Sequence, residues 1–225
     1  MEVTYYGHAS FSVNYNDGAL VFDPFITPNE LASSIDISSI KANHILVSHG
    51  HEDHIADVEA IAKNNNATVI SNFEIVSWFG QKGVEGHPMN FGGTWDFDFG
   101  SGKYVQAVHS SVLPDGTYGG NPGGFVVEME GCTFYYAGDT ALTYDMKLIG
   151  ESYNLDFAFL PIGDNFTMGV DDAVKATDFI YCKKIIGMHY DTFGYIEIDH
   201  DQAKEKFTKA GAQLTLMEIG QTIEI

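Results

Sequence analysis

The sequence predicts an α/β (α+β) fold in which two β-sheets pack face to face with helices outside. Short apolar or alternating segments recur along the 225 residues, and segments with the apolar spacing of helices lie between them. These segments form two β-rich blocks, each accompanied by helices. Because sheets and helices must bury their apolar faces, the pattern favours layered sheets in one domain, or two tightly fused halves, spanning residues 1–225.

The first block contains five predicted strands and two predicted helices. The strands cover residues 3–6, 11–15, 19–22, 44–48 and 67–70. Asn16-Asp17-Gly18 is typical of a hairpin turn between the second and third of these strands. Apolar residues at helical spacing predict one helix over 55–64 and another over 73–79.

The second block continues the alternation of strands and helices. Its predicted strands cover residues 95–99, 103–108, 125–128, 133–136, 157–160, 184–188, 214–218 and 222–225. Glu130-Gly131 indicates a hairpin turn. Asp171-Asp172 is expected to cap a helix that runs to residue 181, and a further helix is expected over 199–210, ended by Gly211.

The charge of the chain argues against a long nucleic acid as partner. The formal net charge is −20, and all eleven basic residues are lysine. Such a chain repels polyanions, and it lacks the planar arginine fork that grips phosphate at two points. Bound metal would restore positive charge locally, so a small anionic substrate stays compatible with this composition.

The remaining composition predicts a cytoplasmic protein. No run of eighteen apolar residues is present, so we expect no membrane span. The N-terminus lacks the basic and apolar regions of a secretory signal. Cys132 and Cys182 are well separated, and we expect both to be reduced thiols. The sequence leaves open whether the chain forms a homo-oligomer.

Four potential metal ligands occur close together in His49-Gly50-His51-Glu52-Asp53-His54. Imidazole and carboxylate groups at this density suit zinc, manganese or iron. In an extended loop His49 and His51 can point the same way, and Asp53 and His54 can then address a second ion. The motif follows one predicted strand and precedes a predicted helix, so it lies at the carboxyl end of a strand.

Three later residues have the same placement. His109, Asp139 and His189 each follow a predicted strand. Strand ends of α/β folds commonly meet at one edge of the core and bind ligands there. Seven ligands suit two divalent ions with Asp139 as a bridge, and open coordination positions would activate water. We expect Zn²⁺ as cofactor, with Mn²⁺ as the alternative.

These motifs resemble the metallo-β-lactamase superfamily, whose HxHxDH signature is matched by residues 49–54. The resemblance covers essentially the whole chain, and segments 6–11, 22–25 and 160–169 resemble a branch of metal-dependent hydrolases near ascorbate-6-phosphate lactonase. It implies a four-layer αβ/βα sandwich with two mixed β-sheets flanked by helices. It also implies a first metal held by His49, His51 and His109, and a second held by Asp53, His54 and His189, with Asp139 between them.

Two further residues are candidates beside the metals. Asp23 follows a strand, where it would either accept a hydrogen bond from a ligand imidazole or cap a turn. His8 follows the first strand, and the resemblance suggests a proton donor or a substrate contact. The alternative for His8 is a structural histidine.

The expected substrate pocket draws on three loops. Asn165, Thr167 and Met168 lie between a strand and a helix, and Tyr190 and Phe193 follow His189, where they would form an apolar wall. Residues 110–124 are rich in glycine and proline. They form either a mobile roof over the pocket or a solvated connection.

The predicted chemistry is hydrolysis at a binuclear centre, in which a metal-bound hydroxide attacks phosphorus or a carbonyl carbon. Asp53 would orient this hydroxide as well as bind metal. A small phosphodiester or phosphorylated molecule is the first expectation, because too few residues separate Asp139 from His189 for an inserted nuclease lid. A lactone or other carboxylic ester or amide is the alternative. A metal-bound sensor or a di-iron oxidoreductase is the alternative of another class.

Overall fold

The computed structural model describes residues 1–16 and 18–225. The chain divides into two compact units, and each unit contains one seven-stranded sheet. The first unit comprises Met1–Asn90, Ser110–Pro122 and Glu218–Ile225, and the second comprises Phe91–His109 and Gly123–Met217. Each unit therefore contains one of the two predicted β-rich blocks, apart from the final strand and the loop at residues 110–122.

The strands and helices have the following bounds. The strands are β1 (Glu2–Gly7), β2 (Ser10–Tyr15), β3 (Gly18–Phe22), β4 (His44–Leu46), β5 (Thr68–Asn72), β6 (Gly86–Met89), β7 (Thr94–Phe97), β8 (Gly100–Gln106), β9 (Gly123–Met129), β10 (Cys132–Tyr136), β11 (Phe157–Pro161), β12 (Lys184–Met188), β13 (Gln213–Thr215) and β14 (Thr222–Glu224). The helices are α1 (Glu52–Ile55), α2 (Val58–Asn65), α3 (Phe73–Gly80), α4 (Asp145–Ser152), α5 (Val170–Phe179) and α6 (His200–Lys209). Short 3-10 turns lie at Glu30–Ala32, Ile37–Ser39 and Gly194–Ile196.

The sheet of the first unit is mixed. Its order is β14-β1-β2-β3-β4-β5-β6; the strands from β14 to β3 pair antiparallel, and those from β3 to β6 pair parallel. α2 packs on β4 and β5, and α3 packs on β5 and β6. Their apolar faces bury Ile61 and Phe79 in a core with Ile45 and Val47. The turn predicted at Asn16-Asp17-Gly18 includes Asp17, which lies outside the described residues.

The sheet of the second unit is also mixed. Its order is β13-β12-β11-β10-β9-β8-β7, with parallel pairs from β13 to β10 and antiparallel pairs from β10 to β7. Phe134, Phe157 and Phe159 are fully buried, and the first two rings stack with centroids 4.9 Å apart. α6 packs on β13, and α5 contacts both α4 and α6. The parallel strands direct their carboxyl ends to the same edge of this sheet.

Two helices replace the single helix expected over 55–64. α1 ends and α2 begins on either side of Asp57, whose backbone leaves helical geometry (φ −104°, ψ 2°). The Asp57 carboxylate accepts hydrogen bonds from the backbone amides of Ile26 (2.7 Å) and Thr27 (2.8 Å). The prediction of one helix was wrong because residues distant in sequence hold the chain at this break.

The start of α5 and two unexpected elements are further corrections. Gly169 is the N-cap of α5, so Asp171 and Asp172 lie in the first turn rather than at the cap. Negative charge is favourable there, because the helix dipole is positive at this end. α4 and β6 were not predicted. β6 contains Pro88, and it is the edge strand of its sheet. Proline lacks a backbone N–H, and an edge strand tolerates it because one side of the strand has no partner that needs this donor.

Both cysteines are free thiols, as predicted. Burial, together with the nearby Asp156 carboxylate, raises the pKa of Cys132 to about 11, and burial also raises the pKa of Cys182. Both thiols therefore stay protonated near neutral pH. None of the helices formed by the described residues combines the length and the apolar character that a bilayer crossing requires.

Candidate metal centre

The HxHxDH segment forms a tight connection between β4 and α1 in the first unit. His49 and His54 are fully buried, whereas His51 and Asp53 are partly exposed. Nε2 of His49 lies 3.0 Å from Nδ1 of His51, and the ring centroids of His49 and His54 are 4.2 Å apart. This short segment therefore brings three imidazoles together.

Asp23 is the buried polar centre of this connection. It lies directly after β3 in the left-handed region, with φ 40°. Its Oδ1 accepts a hydrogen bond from Ser48 N (2.7 Å), and its Oδ2 accepts from Ser48 Oγ (2.5 Å) and His54 Nδ1 (2.9 Å). Single atoms of Asp23, His49 and His54 lie within 4.8 Å of one another, as metal ligands would. Since both carboxylate oxygens already accept hydrogen bonds, we interpret Asp23 as an orienting group rather than a ligand.

The Asp23 carboxylate determines which ring nitrogen carries the proton in two histidines. An ionised carboxylate only accepts hydrogen bonds, so His54 carries its proton on Nδ1. Ser48 Oγ donates to Asp23 and therefore accepts from His49 Nδ1, 2.9 Å away. Each of these imidazoles keeps a lone pair on Nε2, and metal-ligating histidines commonly have their other nitrogen fixed in this way.

His8 and Asp53 form a second polar group in the same unit. Nε2 of buried His8 lies 3.1 Å from Asp53 Oδ2, and that oxygen lies 3.9 Å from His54 Nε2. His8 has a positive φ of 57° at the turn between β1 and β2, and its carbonyl oxygen accepts a hydrogen bond from Tyr5 Oη (3.3 Å). His8 therefore lies against the carboxylate for which a catalytic role is predicted; the role itself stays a prediction.

The second unit contains the other three predicted ligands, two histidines beside one carboxylate. Asp139 Oδ2 lies 3.0 Å from His189 Nε2 and 3.5 Å from His109 Nε2. Asp139 and His189 are buried, and His109 is partly exposed. These residues follow β8, β10 and β12, so the prediction that their strand ends share one edge of the sheet agrees with the pairing order.

Contacts of neighbouring residues constrain the chain around these three residues. Thr140 Oγ1 accepts a hydrogen bond from Val108 N (3.0 Å), which joins the residue after Asp139 to the residue before His109. His189 has a positive φ of 56°. A Cβ at Gly163 would overlap the His189 carbonyl oxygen, so a glycine is needed where the two backbones approach.

The donor atoms fit divalent metal ions. Two nitrogens bound to one tetrahedral Zn²⁺ at about 2.0–2.1 Å lie roughly 3.3 Å apart, and the facing nitrogens of His49 and His51 are 3.0 Å apart. Imidazole with carboxylate is a donor set that suits zinc and manganese. The His54 ring, with Nδ1 fixed by Asp23, presents its second nitrogen toward Asp53.

Comparison with known proteins identifies the family. A profile of the beta-lactamase superfamily domain matches residues 2–189. The chain belongs to the metallo-β-lactamase superfamily. Within this superfamily, it is 57% identical over 225 residues to a UPF0173 metal-dependent hydrolase of Flavobacterium johnsoniae, and 45% identical over 230 residues to the UPF0173 metal-dependent hydrolase YtkL of Bacillus subtilis. Both matches cover 100% of both chains.

A solved structure supports the same assignment. Igni18, a metallo hydrolase from Ignicoccus hospitalis, aligns with a TM-score of 0.90 and 34% identity, covering 100% of this chain and 98% of the other. The protein is thus a metal-dependent hydrolase with the metallo-β-lactamase fold. The predictions of superfamily, fold class and enzyme class are confirmed.

The residues predicted to contact substrate lie on two loops of the second unit. After β11, Asn165 is exposed, Thr167 is partly exposed and Met168 is buried. After β12, Tyr190 is buried and Phe193 is 38% exposed. Their contact with substrate stays a prediction.

Sequence reasoning missed the hydroxyl side chains that support the ligands. Ser48 precedes the HxHxDH motif, Thr140 follows Asp139, and Ser111 hydrogen-bonds the Gly50 amide at 3.0 Å. Adjacency to a ligand is a usable signal for the first two. No local signal exists for Ser111, because its partner is distant in sequence.

Proposed function

We propose that the protein is a binuclear hydrolase of small phosphodiesters or phosphorylated molecules. In this proposal two divalent ions, Zn²⁺ or alternatively Mn²⁺, are held by His49, His51, Asp53, His54, His109, Asp139 and His189. The observation that carries it is the Asp23 hydrogen-bond group, which places the protons of His49 and His54 on Nδ1 and their lone pairs on Nε2. When bound, the two ions supply an activated water and positive charge for both the attacking and the leaving oxygen.

The protein groups have separate roles in this proposal. Asp53 orients the attacking water and takes up its proton at Oδ2, the oxygen that lies 3.1 Å from His8 Nε2. His8 Nε2 then accepts this proton from Asp53 Oδ2 and delivers it to the leaving oxygen. Asp139 lies close to both His109 and His189 and would be the ligand shared by the two ions. Asn165, Thr167, Met168, Tyr190 and Phe193 are proposed to contact the substrate.

A phosphate substrate is favoured by the two ions of the proposed centre and not by the charge of the chain. The chain has a formal net charge of −20 and no arginine, so it relies on its metals to attract an anion. Clamping of both oxygens by two ions suits displacement at phosphorus. A lactone or another carboxylic ester or amide is the second candidate, since the same activated water also attacks a carbonyl carbon.

A hydrolysis panel with the metal-loaded protein tests this function. We expect bis(4-nitrophenyl) phosphate to be hydrolysed in the presence of added Zn²⁺ or Mn²⁺, and more slowly after treatment with a chelator. If the protein hydrolyses lactones but no phosphodiester, the proposed substrate becomes a lactone or another carboxylic ester or amide. A fully metallated protein that hydrolyses neither would favour a sensor, and bound iron with oxygen or nitric oxide reduction would favour a di-iron oxidoreductase.

Metal stoichiometry is a separate prediction. We expect elemental analysis after reconstitution to find about two ions per chain, because seven ligands exceed the needs of one ion. His109→Ala and His189→Ala should each lose about one ion. His87→Ala is the matched control, since this histidine on β6 has no proposed ligand role. One ion or none in the wild-type protein would contradict the binuclear proposal.

The proposed function extends to the location of the protein and its partners. We propose a cytoplasmic protein in which residues 1–225 act as one catalytic domain on a small molecule. Long nucleic acids are not expected to bind, because a chain of net charge −20 repels a polyanion.

A further inference from the structure

The loop at residues 110–122 is attached to the rest of the first unit at several points. Leu113 is 2% exposed and belongs to the apolar core of that unit. Asn72 Nδ2 donates to Gly119 O (2.8 Å), and Trp78 Nε1 donates to Asp115 Oδ2 (2.7 Å). The Trp78 hydrogen bond, with those from Thr117, lowers the pKa of Asp115 to about 2. The loop is thus anchored to the first unit at these points, while residues 114–118 are exposed.

The side chain of Ser111 in this loop contacts the backbone of the HxHxDH motif. Ser111 Oγ accepts a hydrogen bond from Gly50 N (3.0 Å) and donates one to Gly119 O (2.8 Å). Gly50 is buried, and a Cβ there would lie 3.2 Å from Leu113 Cδ2 and 3.3 Å from Ser111 Oγ. The loop therefore packs directly against the peptide that joins His49 to His51.

The residues on either side of Gly50 are held by other contacts. Ser48 before the motif is bound by Asp23, and His51 O accepts the hydrogen bond from His54 N in the first turn of α1. Gly50 lies between these two fixed points, outside both strand and helix, and its amide donates to Ser111. The relative placement of the two imidazoles thus depends on the orientation of the Gly50 peptide.

We propose that Ser111 is a positioning residue for the first metal ion, acting through Gly50 on His49 and His51. The neighbouring Ser110 also helps to orient the His51 ring. Its Oγ lies 3.3 Å from His51 Nε2, while His51 Nδ1 faces His49. This inference rests on the proposed binuclear centre. It assigns the anchored loop a structural role at one of the two metal sites.

Metal titration of Ser111→Ala tests the assignment. We expect the affinity for one of two Zn²⁺ ions, measured by competition with a chromophoric chelator, to fall about 10-fold, as loss of an orienting partner commonly causes. The affinity for the other ion should stay unchanged. Ser111→Thr keeps the hydroxyl and should restore the wild-type value. Tyr118→Phe is the matched control, because it removes one hydroxyl hydrogen bond of the same loop, to Asn121 Oδ1, that does not involve Gly50.

Hydrogen exchange of the metal-free protein tests the contact independently of metal. The Gly50 amide should exchange faster in Ser111→Ala than in the wild type or in Tyr118→Phe. The assignment would be overturned if Ser111→Ala lowered the affinity for both ions equally, or if Tyr118→Phe lowered the affinity as much as Ser111→Ala does. An unchanged exchange rate of the Gly50 amide in Ser111→Ala would also overturn it. A wild-type protein that binds neither Zn²⁺ nor Mn²⁺ would instead overturn the proposed function, while the exchange experiment would still decide whether Ser111 holds Gly50.

Discussion

Replacement of Asp53 by alanine is expected to lower turnover by about 10²- to 10⁴-fold, the range associated with loss of a general acid or base. Its Oδ2 lies 3.1 Å from His8 Nε2 and 3.9 Å from His54 Nε2, so this oxygen is next to both the proposed proton relay and the proposed second set of ligands. The measurement is kcat on the model substrate that the wild-type protein hydrolyses, with bound metal quantified in the same samples.

The neighbouring Glu52 provides the matched control for this substitution. Glu52 lies in the same turn of α1, is exposed, and has no proposed role at the metals. Glu52→Ala should keep turnover within a few-fold of the wild type, and both variants should retain the circular dichroism of the parent. Turnover of Asp53→Ala within about 10-fold of the wild type would remove Asp53 from the catalytic group.

Replacement of Asp23 by asparagine is expected to weaken metal binding by about 10- to 100-fold. The amide NH₂ would donate to His54 Nδ1, where the carboxylate now accepts. His54 would then carry its proton on Nε2, the nitrogen proposed to bind metal. Ser48 Oγ would also lose its acceptor, so the tautomer of His49 would no longer be fixed.

The same substitution should destabilise the metal-free protein by about 1–3 kcal/mol, the typical cost of leaving a buried polar group unsatisfied. Thermal unfolding without metal measures this, and imidazole ¹⁵N shifts report the tautomers directly. Asp36→Asn is the control, because Asp36 is a 3-10 helix N-cap at the surface and asparagine caps equally well. Wild-type affinity and an unchanged His54 tautomer in Asp23→Asn would show that Asp23 does not orient this ligand.

Two layers of information in the sequence predict the fold and the ligands. Apolar alternation locates most strands because a half-buried strand has a period of two residues, and β12 has the predicted bounds. Metal-binding chemistry is local in the HxHxDH segment, where the ligand types and their spacing are visible without coordinates. The placement of His109, Asp139 and His189 after strands is equally readable, since parallel strands end at a common edge.

Tertiary structure decided what depends on residues distant in sequence. The helix break at Asp57 is stabilised by amides near residue 26, and the tautomers of His49 and His54 depend on a carboxylate at the end of β3. The composition of residues 110–124 predicts a mobile roof or a solvated connection, yet Leu113 is buried and Ser111 accepts a hydrogen bond from Gly50 N. The sequence by itself determined the candidate ligands and the strand pattern, because both are local properties. Only the fold determined how the ligands are oriented, because an orienting hydrogen bond needs a partner that packing brings from elsewhere in the chain.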